Sequence, residues 1–154
     1  MIEVKQTTLE IFEAAKALMK KNDMDGNLVI DRLDQSMVLM DRQLVLGFGS
    51  FTRQDQLAFL DTLVLSDQRL WKSMGDGLVK AMLNMMDLRG VKEVYVLASP
   101  STQGHYEDIG FVGSDMVPDK LKGLVDMPVY AKDQTIMMET RLPEFFDTAC
   151  RSKK

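Results

Sequence analysis

Two glycines at the predicted start of a helix are the first residues whose type and spacing suggest chemistry. Gly75 and Gly77 follow a nearly apolar segment (residues 57–65) and a polar loop (residues 66–73), and helical spacing of apolar residues comes after them. Glycine weakens a helix by about 1 kcal/mol relative to alanine, so this placement needs a reason. A pyrophosphate bound by backbone N–H groups at the positive end of the helix dipole would supply one. A loose helix start or close packing on a sheet would supply another, and the pattern alone leaves both open.

Asp61 and His105 are side chains that could move a proton near neutral pH. Asp61 is the only charged residue of the apolar segment 57–65. Burial would raise the pKa of its carboxyl toward the range that a general base requires. The alternative is a structural carboxylate, satisfied by a neighbouring donor or lying at an exposed end of the strand. His105 is the only histidine, a residue type that can exchange a proton near neutral pH, although a lone histidine is more often structural or exposed.

Other phosphate-binding patterns are absent from the sequence. No Gly-Lys-Ser/Thr sequence is present, which excludes a P-loop. Gly47-Phe48-Gly49 lies inside a predicted strand, lacks a third glycine and opens no helix, so it is not a dinucleotide fingerprint. Glycines inside a strand indicate a bulge or a close contact instead.

Metal chemistry is not expected. The one cysteine, Cys150, excludes a cysteine-based cluster and an internal disulfide. Residues 23–26 resemble part of a calcium loop, but in that register Lys21 and Arg32 would occupy the first and last ligand positions. Two cations at those positions exclude a calcium site.

Length, composition and charge describe one acidic globular domain. The 154 residues suit a single core, and a hydrophobic content of 45% is enough to offset chain entropy, which argues against disorder. The net charge of −4 argues against nucleic acid as the main partner. No apolar run approaches the roughly 18 residues of a membrane span, and the first residues do not resemble a signal peptide. We therefore expect a cytoplasmic protein without a membrane or nucleic-acid partner, and a homodimer is compatible with the sequence.

The elements that would position these residues are strands and helices in mixed order, which favours an α/β fold. A hairpin is expected to turn at residues 41 and 42. Predicted strands cover residues 2–5, 36–41, 43–51, 57–65, 93–97, 111–112 and 134–140. The first predicted helix begins at a capping box formed by residues 7–10, with Thr7 as the cap and Glu10 three residues later. Further predicted helices cover residues 74–88 and 102–109 and follow Pro143 toward Cys150.

Residues 65–78 resemble the acyl-CoA-binding segment of the GNAT superfamily, whose common pattern is Arg/Gln-x-x-Gly-x-Gly/Ala. The matching run in this sequence is Lys72-Ser73-Met74-Gly75-Asp76-Gly77. The loop before it is longer than usual and is similar to the N-acetylglutamate synthase branch, in which a loop ending in Gly-acidic precedes the helix. In that register, Asp61 occupies a strand position where the branch carries an acidic residue.

A second motif lies downstream. Tyr106-Glu107-Asp108-Ile109-Gly110-Phe111 resembles the Tyr-x-x-x-Gly-Phe end of the following helix in the superfamily. The polar approach to that helix, residues 99–102, is similar to the Thr-rich approach of the same branch, with His105-Tyr106 at its Phe-Phe pair. The order of elements agrees with the superfamily over most of the chain.

The resemblance implies a fold, a cosubstrate and a set of roles. The fold is one domain over residues 1–154, with a mixed sheet of six to seven strands and helices on both faces. Acetyl-CoA would transfer its acetyl group to an amine by direct attack on the thioester, without a metal, and a strand N–H at 63–65 would stabilise the oxyanion. Asp61 would take the proton of the amine, and Tyr106 would protonate the departing thiolate. The residues implied in acetyl-CoA binding are Leu63, Leu65, Leu70, Trp71, Lys72, Ser73, Met74, Gly75, Asp76 and Gly77.

Several departures from the family pattern keep a rival interpretation open. Leu70 or Lys72 replaces the usual Arg/Gln, no asparagine precedes the Tyr106 helix, and Asp76 adds a negative charge near a pyrophosphate. Trp71 could be a core anchor instead of a binding residue. The favoured acceptor is the primary amine of a small molecule such as an amino acid, and a protein terminus or lysine is less favoured. The rival is a non-catalytic acyl-CoA-binding sensor or regulatory module.

Overall fold

The computed structural model describes residues 2–22, 30–114 and 136–142. Within these ranges the chain forms seven strands and three α-helices, together with a 3-10 turn at Ile30–Gln35 and a π-helical turn at Trp71–Gly75. The strands are β1 (Ile2–Gln6), β2 (Ser36–Asp41), β3 (Leu44–Gln54), β4 (Leu57–Leu65), β5 (Glu93–Ala98), β6 (Val112–Gly113) and β7 (Ile136–Arg141). The α-helices are α1 (Leu9–Lys21), α2 (Asp76–Leu88) and α3 (Gln103–Ile109).

The strands form one mixed sheet in the order β1-β2-β3-β4-β5-β7-β6. The pairs β1/β2, β2/β3, β5/β7 and β6/β7 are antiparallel, whereas β4 and β5 are parallel. A parallel pair needs a crossover connection, and α2 supplies it. The predicted α/β class with a mixed sheet of six to seven strands is confirmed.

The chain forms two compact units. The first comprises Met1–Phe51 and Thr62–Met82, and the second comprises Thr52–Asp61 and Leu83–Lys154. The boundaries fall inside β3, β4 and α2, which continue through them. The assignment of residues 1–154 to one domain therefore stays a prediction, and each unit is described by itself below.

In the first unit, α1 packs its apolar face onto the sheet. The Thr8 hydroxyl accepts a hydrogen bond from the Ile11 N–H at 3.3 Å and caps the helix one residue after the predicted cap, Thr7. The Thr7 N–H donates instead to the Ser36 carbonyl. The buried residues of this helix are Phe12, Ala15, Leu18 and Met19, and they form one cluster with Val38, Met40, Val45, Phe48 and Val64. Burial of this face stabilises a helix that would be marginal on its own.

The opposite face of the same strands packs against α2. Phe48 of β3 belongs to the α1 cluster, whereas a Cβ built on the next residue, Gly49, would overlap the sulfur of Met82 in α2. Successive strand residues point to opposite faces, so α1 and α2 cover opposite faces of β3. The prediction of helices on both faces is confirmed, and Gly49 makes the close contact that a glycine within a strand indicates.

The β2–β3 turn lies one residue later than predicted. Asp41 still pairs with Leu44 in the ladder, so the turn consists of Arg42 and Gln43, and Arg42 has φ = 57°. A two-residue hairpin of this kind requires positive φ, which accounts for the conformation of Arg42. Between β3 and β4, Asp55 has φ = 56°, and β3 extends to Gln54 instead of ending at residue 51.

In the second unit, β5 and β7 pair along six residues, from Glu93 opposite Arg141 to Ala98 opposite Ile136. Arg141 forms an ion pair with Glu93 and lies 3.5 Å from a carboxylate oxygen of Glu139. Leu57, Phe59, Tyr95 and Met137 form a small buried cluster. The final helix predicted after Pro143 lies outside the described residues.

Within the described ranges, no helix is long and apolar enough to cross a membrane.

Candidate functional site

The approach to α2 differs from the predicted loop. The polar loop expected over residues 66–73 ends at Arg69, and Trp71–Gly75 forms a π-helical turn that continues into α2 at Asp76. The Asp76 N–H donates to the Trp71 carbonyl oxygen, the five-residue step that defines such a turn. Gly77 therefore lies in the first turn of the α-helix, as predicted, whereas Gly75 lies one helical turn inside the helical segment.

Asp67 explains why the helical segment starts early. The N–H groups of Leu70 and Trp71 donate to the carbonyls of Asp67 and Gln68 at 3.0 and 3.2 Å. The Asp67 carboxylate accepts from the Arg69 backbone N–H at 2.9 Å and from its guanidinium at 2.7–3.2 Å. These bonds from Arg69 lower the pKa of Asp67 to about 2. This pair was not predicted, although an Asp two residues before an Arg in a polar loop is a recognisable turn signal.

Gly75 is explained by packing. A Cβ on Gly75 would lie 2.8 Å from Trp71 Cε3 and 3.2 Å from Leu65 Cδ1, both too close without movement of these neighbours. Trp71 is itself buried, with 3% of its surface exposed. Trp71 is thus a core anchor of the first unit, the alternative that the sequence left open, and its ring occupies the space beside Gly75.

Gly77 is not explained by packing. It is exposed, and a Cβ built on it would meet nothing within 4 Å. Its backbone is not left-handed, because the described glycines with positive φ are Gly90 and Gly110. Neither a close neighbour nor a special conformation accounts for a glycine in the first turn of α2. The open space above its backbone fits the close approach of a ligand, which is the condition for a pyrophosphate at a helix start.

The other predicted binding residues differ in how far their side chains are exposed to solvent. Leu65 is buried, with its methyl groups close to where Gly47 and Gly75 would carry Cβ atoms, and Leu63 is half-buried beside Gly49. These two leucine side chains pack in the first unit, so only their backbone groups remain for chemistry. Lys72 and Ser73 are exposed, and Leu70, Met74 and Asp76 are half-buried.

Asp61 lies in β4 and is the last residue of this strand that belongs to the second unit. It is buried, with 7% of its surface exposed, and the next residue, Thr62, is buried as well. Burial of the one carboxylate in this strand agrees with the sequence analysis, which expected a largely buried segment. Leu63, whose backbone is implicated in oxyanion binding by the resemblance, follows two residues later on the same strand.

Tyr106 lies in α3 of the second unit and is 4% exposed. Its ring meets Phe111 edge-on, with 5.5 Å between the ring centroids. Gly110 takes φ = 132° and ends the helix, and the Phe111 N–H donates to the Tyr106 carbonyl at 2.9 Å. The Tyr-x-x-x-Gly-Phe spacing is therefore a helix ending that folds Phe111 back onto Tyr106. Burial raises the pKa of Tyr106, so its hydroxyl stays protonated at neutral pH.

A hydroxyl cluster precedes α3, at the place where the resemblance leads one to expect an asparagine. The Ser99 hydroxyl lies 3.0 Å from the Ser101 hydroxyl and 3.1 Å from the Thr102 hydroxyl. The Thr102 hydroxyl also accepts from the Ser99 N–H at 2.9 Å. This cluster at the carboxyl end of β5 provides several hydroxyl groups that can both donate and accept hydrogen bonds. Among the described residues, no group of three or more His, Cys, Asp or Glu side chains could hold a metal ion.

Comparison by sequence finds no matching family model and no matching curated protein. Solved structures match across most of the chain. N-acetylglutamate synthase from Neisseria gonorrhoeae, solved with coenzyme A and N-acetyl-glutamate, is 13% identical with a TM-score of 0.77, over 92% of this chain and 35% of that one. The PaiA N-acetyltransferase from Thermoplasma acidophilum, solved with coenzyme A, is 13% identical with a TM-score of 0.70. The match covers 92% of this chain and 99% of that one.

A third similar structure carries the family name. The GNAT-family acetyltransferase from Staphylococcus aureus Mu50 is 14% identical with a TM-score of 0.68, over 92% of this chain and 99% of that one. This chain spans 35% of the N-acetylglutamate synthase but nearly the whole of the other two proteins. Its fold is that of the GNAT acetyltransferases.

Proposed function

We propose that the chain is an acetyl-CoA-dependent N-acetyltransferase acting on the primary amine of a small molecule. The observation that carries this proposal is Gly77, an exposed glycine in the first turn of α2 that neither packing nor backbone conformation requires. The proposal is supported by the fold, since the similar synthase and PaiA structures were solved with coenzyme A. The single cysteine fits a reducing compartment, so we place the activity in the cytoplasm.

The start of α2 would hold the pyrophosphate through its backbone. The candidate N–H groups lie at the start of the helical segment that leads into α2, where the helix dipole favours an anion. The exposed Lys72 ammonium can approach a phosphate as a point charge, whereas Asp76 opposes one. Because these two charges offset each other, we expect the N–H groups to contribute more to binding than either side chain.

When bound, acetyl-CoA supplies an electrophilic thioester carbonyl, and the chain supplies proton transfer and an oxyanion donor. A backbone N–H of Leu63–Leu65 would donate to the developing oxyanion. Asp61, a buried carboxylate, would accept the proton of the attacking ammonium group directly or through water. The Tyr106 hydroxyl would donate a hydrogen bond or a proton to the departing thiolate. Its raised pKa keeps the hydroxyl protonated at neutral pH but also makes it a weaker acid.

The proposed acceptor is a small amine, with an amino acid as the leading class. The resemblance of the Gly-acidic loop to the N-acetylglutamate synthase branch supports this choice. So does the fold match to a synthase that was solved with N-acetyl-glutamate. An activity assay with a panel of amino acids, polyamines and peptide amines would rank these acceptors. The measured quantity would be the rate at which each amine releases the free thiol of CoA.

The second candidate is a non-catalytic acyl-CoA-binding module. The observation that favours it is the Ser99–Thr102 hydroxyl cluster, which stands where the resemblance leads one to expect an asparagine. A sensor would bind acetyl-CoA and release no thiol with any amine of the panel. An enzyme would release thiol with at least one amine class.

Gly77→Gln tests the binding site directly, with Gly104→Gln as a matched control. Both glycines lie in the first turn of an α-helix, both are exposed, and neither would have a neighbour within 4 Å of a Cβ. Glutamine is the better helix former by about 0.5 kcal/mol, so each variant should be at least as stable as the wild type without ligand. Only Gly77→Gln should lose stabilisation by acetyl-CoA.

The measurement is thermal melting with and without acetyl-CoA. A ligand at a hundred times its Kd stabilises a protein by about 2.7 kcal/mol, which is readily measured. If acetyl-CoA raises the melting temperature of both variants as much as that of the wild type, the ligand does not bind over Gly77. Gly75→Gln is unsuitable because the new side chain would collide with Trp71.

A further inference from the structure

We propose that strand β1 is the surface through which two copies of this chain associate, by antiparallel pairing with Val4 of one copy opposite Val4 of the other. β1 (Ile2–Gln6) lies at one end of the sheet, and among the described strands it pairs only with β2. The sequence is compatible with a homodimer, and β1 supplies an interface with a defined register. This inference does not depend on the proposed function.

The backbone of β1 determines which of its groups face outward. The Thr7 N–H donates to the Ser36 carbonyl at 3.3 Å, and these residues lie opposite each other when the β1–β2 register is continued by one residue. Along an antiparallel strand, residues whose N–H and C=O groups face the partner alternate with residues whose groups face away. The backbone groups of Glu3 and Lys5 therefore face β2, in step with Thr7. The groups that face the outer edge belong to Ile2, Val4 and Gln6.

The two charges of β1 select one register for a second copy. Hydrogen bonds form between copies only where outward-facing residues lie opposite each other, which allows registers centred on Glu3, on Val4 or on Lys5. Centring on Glu3 or on Lys5 places like charges directly opposite, which is destabilising. Centring on Val4 places Glu3 of each copy opposite Lys5 of the other. Opposite charges at such positions stabilise the pairing, so we expect this register.

The geometry of this register brings the charged side chains close together. The Glu3–Lys5 pairs lie between the hydrogen-bonded pairs, where the Cα atoms are only about 4.5 Å apart. Within one chain, Lys5 Nζ lies 3.7 Å from Glu3 Oε1, and the two side chains are 43% and 53% exposed. Both charges are therefore accessible on the same face of the strand. Two copies would bring together two acidic and two basic groups.

Charged residues on an edge strand usually oppose its pairing with other chains. In β1 the charges have opposite signs and are two residues apart, so they oppose the shifted registers and favour one. The other face of the strand carries Ile2, which is 41% exposed, and the half-buried Val4, and pairing would cover both. A strand of five residues buries less area than a standard interface, so the dimer should dissociate on dilution.

The test is sedimentation velocity of the full chain at increasing concentration, up to about 1 mM. We expect the wild type to shift from monomer to dimer. Lys5→Glu and Glu3→Lys should each stay monomeric at the concentration where half of the wild type is dimeric, because every register then pairs like charges. Since one variant carries two acidic and the other two basic residues, an equimolar mixture of both should dimerise.

Two further variants separate pairing from net charge. The double variant Glu3→Lys/Lys5→Glu restores opposite charges in the same register and should dimerise like the wild type. Lys20→Glu, at an exposed position of α1, changes the net charge as Lys5→Glu does and should leave dimerisation unchanged. Circular dichroism would establish that each variant is folded.

Hydrogen exchange of the wild type tests the register without any substitution. The outward-facing Val4 N–H should gain protection as the concentration rises, whereas the N–H groups of Glu3 and Lys5 should not change. A wild type that stays monomeric at about 1 mM would overturn the proposal. So would a dimer in which Val4 gains no protection, dimerisation of Lys5→Glu alone, or a folded double variant that stays monomeric.

Discussion

Gly75 and Gly77 lie in the same helical segment but differ in what surrounds them. Their spacing suggested one shared purpose, but Gly75 makes room for Trp71, whereas Gly77 has open space beside it. A glycine that avoids a collision and a glycine that admits a ligand look the same in a sequence, because the neighbour that distinguishes them is contributed by tertiary packing. Asp61 and Tyr106 were recognisable by type and position, and both are buried.

Asp61 should be needed for turnover and not for cosubstrate binding. Asp61→Asn keeps the shape of the side chain but cannot accept a proton at neutral pH. We expect kcat to fall roughly a hundredfold, the usual contribution of a general base. The Kd for acetyl-CoA should remain within about twofold of the wild type. Rates close to the wild type at neutral pH would assign the carboxylate a structural role.

Tyr106 should act through its hydroxyl and keep its proton to high pH. Tyr106→Phe preserves the ring contact with Phe111, so the loss should fall on kcat while acetyl-CoA affinity stays constant. Since burial raises the pKa of this hydroxyl, Tyr106 should add no falling limb to the pH–rate profile below about pH 10. Equal kcat for the two proteins across this range would assign the ring to packing alone.

The same pKa shift has a consequence for stability. A raised folded-state pKa means that the folded protein holds this proton more tightly than the unfolded chain does. The resulting stability is complete below the ordinary tyrosine pKa of about 10 and is lost as the pH rises toward the folded-state value. Urea unfolding between pH 8 and 11 should show a shallower alkaline loss in Tyr106→Phe than in the wild type. Tyr95, whose pKa is raised to about 12 mainly by burial, should account for part of the remaining loss.

At the scale of elements, the sequence predicts regular segments well and irregular ones poorly. The bounds of β4 agree with prediction and α1 starts within one residue of it, because a mostly apolar run and a pair of capping threonines are local signals. The first three residues of the π-helical turn, 71–73, were predicted as loop, because residues 66–69 are polar and only the packing of Trp71 shows that the helical path has already begun. The Asp67–Arg69 pair that opens this path is exposed and was not recognised.

The cap of α1 provides a test at this scale. Thr8→Ala removes the side-chain acceptor of the Ile11 N–H and should cost about 1 kcal/mol of stability. For a chain of this length, that corresponds to a decrease in Tm of about 2–4 °C. Thr8→Ser retains the acceptor and should melt close to the wild type. A Tm for Thr8→Ala that equals the wild-type value would show that the cap does not stabilise the helix in solution.

At the scale of the whole molecule, mixed strands and helices were enough to predict the α/β class and the number of strands. Strand order and the two compact units were not predictable, because they depend on long-range pairings such as Glu93 with Arg141. Such pairings join residues that are far apart in sequence and leave no local pattern. If residues 1–154 form a single domain, they should unfold in one cooperative transition, which can be tested.

Unfolding in urea should follow one transition, because β3, β4 and α2 each run through a boundary between the two units. Trp71 fluorescence reports on the first unit, and hydrogen exchange of the β5 and β7 amides reports on the second. Coincident midpoints by both probes would support a single cooperative domain. Midpoints separated beyond experimental error would mean that residues 1–154 behave as two domains.

The contact between Gly49 and Met82 links two positions that the sequence separates by a turn, a strand and part of a helix. Any side chain at 49 occupies the space of the Met82 sulfur, and a shorter residue at 82 would leave a void beside the glycine. Each change alone is unfavourable, whereas an exchange that conserves total side-chain volume can be tolerated. Divergent descendants of this chain should therefore pass through paired replacements here, with a small residue at one position accompanying a long one at the other. A selection that randomises both codons together would recover this covariation, which randomising either codon alone would miss.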